Sequence, residues 1–180
     1  RVARAQREVG LAAGEPPARR GYPPSVFALL PRLLERAGRT ERGSITGIYT
    51  VLVEGGDLDE PIADEVRGIL DGHVVLTRKL AERGWYPAID VVQSLSRVAP
   101  QVVPEPVMRA AKRLRAALAL HEEQRDLVVL GAYQRGSDPR LDRVLANFAS
   151  IEDFLTQSAQ EITDTATCWQ RLEALAARLG

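Results

Sequence analysis

The chain has 180 residues, 45% of them hydrophobic, with 24 basic and 24 acidic side chains and a formal net charge of zero. That length and apolar content allow one comfortable domain or two small ones around a real core, which excludes a disordered chain, and the charge balance gives no global pull toward nucleic acid or anionic lipid. The single cysteine, Cys168, excludes an intrachain disulfide framework, and no apolar run approaches the ~20 residues of a bilayer span.

Arg1 to Glu8 begins inside a helical pattern without a Met, a capping residue or a preceding turn, so the sequence reads as a piece of a longer one. A short helix is predicted from Val2 to about Leu11, stopping at Gly14-Glu-Pro-Pro17. Gly21-Tyr-Pro-Pro24 forms a second loop, and its prolines are placed to open a helix over 25–37 with Val26, Phe27, Leu29, Leu30, Leu33 and Leu34 at helical spacing. Gly38 ends that helix, and Pro31 inside it should kink or break it, because the ring removes one donor and clashes with the preceding turn. Ser44 to Glu54, rich in Ile, Thr, Tyr and Val and free of proline, is the best strand candidate. An acidic loop with Gly55, Gly56, Asp57, Asp59 and Pro61 follows, then a short strand over 73–77 and a turn or two of helix over 78–83 ending at Gly84. Strands alternating with helices imply the edge of a parallel α/β sheet.

Composition changes near residue 104: ten of the eleven prolines lie before residue 107. Residues 1–103 thus read as a turn-rich α/β part and 104–180 as a helical bundle. Pro104 and Pro106 sit in the first turn of a long helix to about Leu130; Gly131 and Gly136 bracket a loop, Ala132-Tyr-Gln-Arg135. Ser137 or Asp138 caps a helix from Pro139, a further helix covers 151–157, and Thr163 or Asp164 caps a last one with Trp169, Leu172, Leu175 and Leu179 on one face.

Few residues carry chemistry. In Tyr86-Pro-Ala-Ile-Asp-Val-Val-Gln-Ser-Leu-Ser-Arg97 an aromatic face able to stack on a purine precedes a planar cationic fork suited to polyphosphate. Such a pair is also what a half-buried ring and a surface charge look like. The cluster Asp57, Asp59, Glu60, Asp64 and Glu65 lacks the regular ligand spacing of a closed cation loop and reads as a solvated acidic loop. His73 and His121 have no partner motif, Cys168 beside Trp169 reads as a small packing residue, and no metal site is expected. No G-x-x-x-x-G-K-[ST] occurs. Arg19-Arg20-Gly21-Tyr22 is basic, but zero net charge and 5% aromatics argue against a nucleic-acid partner.

Five segments in order, Arg19-Arg-Gly-Tyr-Pro-Pro-Ser-Val-Phe27, Gly43-Ser-Ile-Thr46, Val53-Glu-Gly-Gly-Asp-Leu-Asp-Glu-Pro61, Leu70-Asp-Gly-His-Val-Val-Leu76 and Tyr86 to Arg97, resemble the C-terminal part of type III secretion ATPases and their flagellar-export relatives, and more distantly the subunits of rotary ATP synthases. The resemblance spans roughly residues 1–145 and fades beyond Phe148; one departure is Gly55-Gly56-Asp57, where the family more usually reads Gly-Asp-Asp. It implies an α/β fold, with 1–103 the C-terminal part of a RecA-like ATPase domain lacking its phosphate-loop half and 104–180 a helical C-terminal domain. It further implies an ATP hydrolase that, as a full-length homohexamer, uses ATP and Mg2+ to release export chaperones and unfold secreted substrates. Arg97 would be the catalytic residue, supplied in trans as an arginine finger. Tyr86 would line the adenine pocket, with Tyr133 a possible second wall. The phosphate loop, acidic base and metal-ligating aspartate would lie upstream, so this piece alone should neither hydrolyse ATP nor bind it tightly. Implied partners are other copies of itself, a central coiled-coil stalk facing Arg19 to Phe27, a stator or regulator of the secretion apparatus, and export chaperones with their substrates. The implied location is cytoplasmic, peripheral at the inner face of the bacterial membrane. Injectisome and flagellum fit equally. Alternatives are a non-catalytic structural or regulatory subunit of a rotary ATPase ring that donates its arginine to neighbours, and a stalk-binding module.

Overall fold

The computed structural model describes residues 1–180, which pack as two compact units, Arg1–Asp71 and Gly72–Gly180. The composition change near residue 104 therefore falls inside the second unit.

In the first unit, α1 (Val2–Ala12) and α2 (Pro24–Leu34) are followed by a hairpin of β1 (Gly38–Thr40) and β2 (Gly43–Ile45), and then by α3 (Pro61–Ile69). Gly10 allows α1 and the start of α2 to meet: a methyl group there would lie 2.8 Å from Pro23 Cγ and 2.9 Å from Ser25 Oγ. Glu15 takes the Ser25 amide at 3.1 Å and so satisfies a free donor at the α2 N-terminus. α2 runs through Pro31 without a break and stops at Leu34, short of the expected Ala37, with Val26, Leu30 and Leu34 buried along one face. Those three, with Ala3, Tyr22, Ile62 and Val66, form the core of this unit.

Two expectations fail in this unit. Of the predicted strand Ser44–Glu54 only the start is a strand, paired antiparallel with β1, and residues 46–53 have no regular structure. A strand needs a neighbour to take its backbone bonds, and no segment of these 180 residues pairs with this stretch; Tyr49 and Val51 pack against the core instead. The acidic loop is also shorter than expected, because Asp64 and Glu65 belong to α3, opened by Pro61 and buried through Ile62, Ala63 and Val66. Its loop portion is tied back to the basic turn by Arg20, which donates to Asp57 at 2.7 Å, and Arg19 lies 3.6 Å from Glu65 on α3. The Arg20 guanidinium, through its hydrogen bond and charge, holds the Asp57 carboxyl below the usual carboxylate range.

In the second unit, β3 (Gly72–Leu76), α4 (Arg78–Ala81), β4 (Ile89–Ser96) and the short α5 (Ala99–Val102) precede three long helices, α6 (Glu105–Val129), α7 (Pro139–Leu155) and α8 (Thr165–Leu179). β3 pairs with β4 antiparallel, so the expected parallel sheet edge is not what these residues form. The 25 residues of α6 make a rod about 37 Å long. Its Val107, Ala110, Leu114 and Ala117 meet Val144 and Ile151 of α7 and Leu172, Leu175, Ala176 and Leu179 of α8. The helices predicted separately from Pro139 and over 151–157 are one, since nothing between them breaks the pattern of Val144 and Ile151. Asp138 and Asp164 cap α7 and α8 through the amides of Arg140 and Thr167.

Candidate functional site

The segment from Tyr86 to Arg97 is built around β4. Ile89 pairs with Leu76 and Ser96 with Gly72, yet residues 91–94 oppose the single residue Val74, a bulge that takes up all of the strand's extra length. The two ends of β4 are thus four β3 residues apart, about 13 Å. This bulge also hid the strand in the sequence, because it destroys the alternation by which strands are read.

The bulge is held by its own side chains. Asp90 Oδ1 accepts the amides of Val92 and Gln93, both at 3.0 Å, and its Oδ2 accepts from the Gln93 side chain at 2.7 Å. Ser94 Oγ donates to the Asp90 carbonyl at 2.6 Å and accepts the Val75 amide at 3.0 Å, replacing the ladder bond that the bulge removes. The Gln93 carbonyl lies 3.0 Å from His73 Nε2. From α6, the Arg115 guanidinium donates to the Ser94 carbonyl at 2.5 Å.

At the far end of β4 the backbone turns. Ser96 Oγ accepts the Ala99 amide at 3.1 Å, and Arg97, in the bend between Ser96 and α5, is exposed. Across the ladder Gly72 leaves room for this end: a methyl group there would lie 2.6 Å from the Leu95 carbonyl oxygen.

At the near end, Trp85 is buried and Tyr86 is 58% exposed. The peptide between Tyr86 and Pro87 is cis, and the Tyr86 carbonyl accepts the Gln157 amide at 2.9 Å just past α7. Tyr133 sits in the α6–α7 loop with its hydroxyl 3.0 Å from Asp142 Oδ1 and 3.1 Å from the Asp138 carbonyl. Its ring lines a shallow groove with Gln124, Leu127 and Leu141, and neither Tyr86 nor Arg97 lines that groove. Tyr86 and Arg97 are therefore brought to opposite ends of one short ladder, while Tyr133 occupies a separate depression. Sequence reasoning missed Gly72, Asp90, Ser94 and Arg115; an aspartate able to bond its own backbone two residues on is a turn signal that could have marked Asp90, but nothing pointed to Arg115.

Away from this strand, His121 stacks on Phe148 with ring centroids 4.0 Å apart, and burial pushes its imidazole below the ordinary histidine range. No helix is long and apolar enough to cross a membrane.

Residues 1–96 match the family described as ATP synthase alpha/beta family, nucleotide-binding domain, and residues 103–174 match the T3SS EscN ATPase C-terminal domain. A flagellum-specific ATP synthase of Treponema pallidum is 57% identical over 178 residues, covering 97% of this chain and 40% of its own length. The assembled ATPase EscN of the enteropathogenic E. coli type III secretion system superposes with a TM-score of 0.92 at 47% identity, covering 97% of this chain and 42% of that one. EscN in complex with its central stalk EscO gives 0.84 at 46% identity, covering 97% and 41%. The chain thus spans about 40% of the length of the curated relative. With the nucleotide-binding model matched over more than half of its residues, the chain belongs to the ATP synthase alpha/beta family.

Proposed function

We propose that this chain is part of an ATPase that energises type III protein export, in which Arg97 reaches the nucleotide bound by a neighbouring subunit of a homohexameric ring. The observation that carries the reading is an exposed arginine at the pinned end of β4, in a chain 57% identical to a flagellum-specific ATP synthase and 47% identical to assembled EscN. A fixed cationic fork at that point neutralises charge developing on the transferred phosphoryl group, a contribution of ~10³ to 10⁵ in rate where such arginines are known. The exposed ring of Tyr86 suits stacking against the adenine of its own subunit. Tyr133 lines a groove apart from Tyr86, so this reading does not use it as the second wall of that pocket. The phosphates and Mg2+ are held by residues outside this chain, and ATP supplies the free energy that the ring turns into chaperone release and substrate unfolding. The domains of this reading are 1–103, the RecA-like portion, and 104–180, the helical portion. The stalk neighbour of EscN supports a coiled-coil partner in the ring's centre. Stator, chaperones and substrates meet the ring at the cytoplasmic face of the membrane.

The test is complementation within the ring. In the complete protein, Arg97→Ala abolishes turnover by orders of magnitude while nucleotide binding persists. Mixing it with subunits that keep Arg97 but carry a disabled phosphate loop restores part of the activity, because each defective type completes the other's site. Near-normal turnover of Arg97→Ala, or a mixture no more active than its parts, refutes the trans role.

A further inference from the structure

We infer that Arg115 is a positioning residue for Arg97, acting from α6 through the carbonyl of Ser94. This inference rests on the proposed role of Arg97.

Ser94 is the hub of the bulge. Its hydroxyl joins the Asp90 carbonyl to the Val75 amide, and its carbonyl is the point that Arg115 grips from outside the sheet. A charged donor on a neutral carbonyl makes one of the stronger hydrogen bonds available to a protein. The root of Arg115 is anchored as well: its neighbour Leu114 is 3% exposed in the bundle core, so the α6 backbone there has little freedom. Ser94 lies three residues before Arg97, about 10 Å of strand, with the Gly72–Ser96 pair and the Ser96–Ala99 bond fixing the path between them. A shift of the Ser94 carbonyl is thus delivered to the Arg97 backbone instead of being lost in a flexible loop. An arginine that must meet a phosphoryl group tolerates little misplacement, since about 1 Å costs on the order of 10²-fold in rate. The same contact joins the helical bundle to the strand that carries Arg97, so α6 cannot tilt without pulling on that strand.

The experiment is a double-mutant cycle in the complete, assembled protein, with Arg115→Met, Arg97→Ala and the pair. Methionine keeps an unbranched stem and removes every donor. Arg115→Met is expected to lower kcat about ten- to a hundredfold with KM for ATP and the melting temperature unchanged. In the Arg97→Ala background, measured by single turnover, it should add no further loss, because a residue that acts only through Arg97 has nothing left to position. If Arg115→Met lowers the melting temperature, Arg115→Lys, which keeps a donor on a long stem, carries the same cycle and should retain more turnover than Met. Full activity of a folded Met variant, or an equal loss with and without Arg97, overturns this inference while leaving the role of Arg97 intact. Near-normal activity of Arg97→Ala alone overturns the proposed function, and this inference with it.

Discussion

Replacing Gly72 by alanine tests whether the geometry around Arg97 matters. The added methyl would sit 2.6 Å from the Leu95 carbonyl oxygen and 3.2 Å from Ser96 Cα, against an ordinary contact that begins at 3.4 Å. Both neighbours are backbone, so no side chain can swing aside, and β3 and β4 must part by about 0.8 Å at the end that leads into Arg97. Overpacking of this kind costs about 1–3 kcal/mol, and under the role proposed for Arg97 a displacement of that size at its guanidinium costs on the order of 10²-fold in turnover. The assay pairs the melting temperature with steady-state ATP hydrolysis by the complete protein. Gly68→Ala is the control: in α3 a methyl at Gly68 meets nothing within 4 Å, so the substitution should stabilise by up to about 1 kcal/mol through helix propensity and leave turnover alone. If Gly72→Ala matches the wild type in both measurements, the close approach does not constrain the Arg97 end of the strand.

Ile151, fully buried between α6, α7 and α8, should lose about 2–5 kcal/mol on truncation to alanine, read by urea unfolding; a loss under 1 kcal/mol would mean the bundle can close around the gap. The His121 imidazole titrates below its unfolded value because burial opposes its charge, with Arg83 and Arg125 acting in the same sense and Glu122 and Glu152 against it. Since the unfolded chain binds the proton more readily, His121 contributes nothing to pH dependence above its unfolded pKa of about 6.5, and stability falls as the pH drops below that point toward the lower folded value. His121→Phe should flatten the stability profile between about pH 6.5 and 5, and an unchanged slope there would assign the effect to other groups.

Much of the fold could be read from the chain because helices announce themselves locally. The α2 prolines, the spacing of Val107, Ala110, Leu114 and Ala117, and the capping aspartates 138 and 164 all act within a turn or two of where they stand. Strands were harder, since a strand is a relation between two segments. Thr46 to Val53 has the composition of a strand and no neighbour to pair with, whereas Ile89–Ser96 has a neighbour and an interruption that disguises it. α3 was obscured by its charges, although Pro61 and the Ile62–Val66 spacing were there to be used. At the site, Tyr86 and Arg97 stood out through their wording and resemblance to a family. Arg115 was invisible because its partner is a backbone carbonyl 21 residues away, and a carbonyl has no letter in the sequence.

The four-residue bulge also bears on how firmly that site is indexed. In the β3–β4 ladder a slip of two residues would carry everything beyond Ser96 forward by about 6.6 Å without exchanging the faces of the sheet. Asp90 opposes it by tying the strand: its carboxylate gathers the amides of Val92 and Gln93 into a bulge opposite Val74 that must be undone before the register can move. The backbone distance from that bulge to Arg97 is thereby counted in residues.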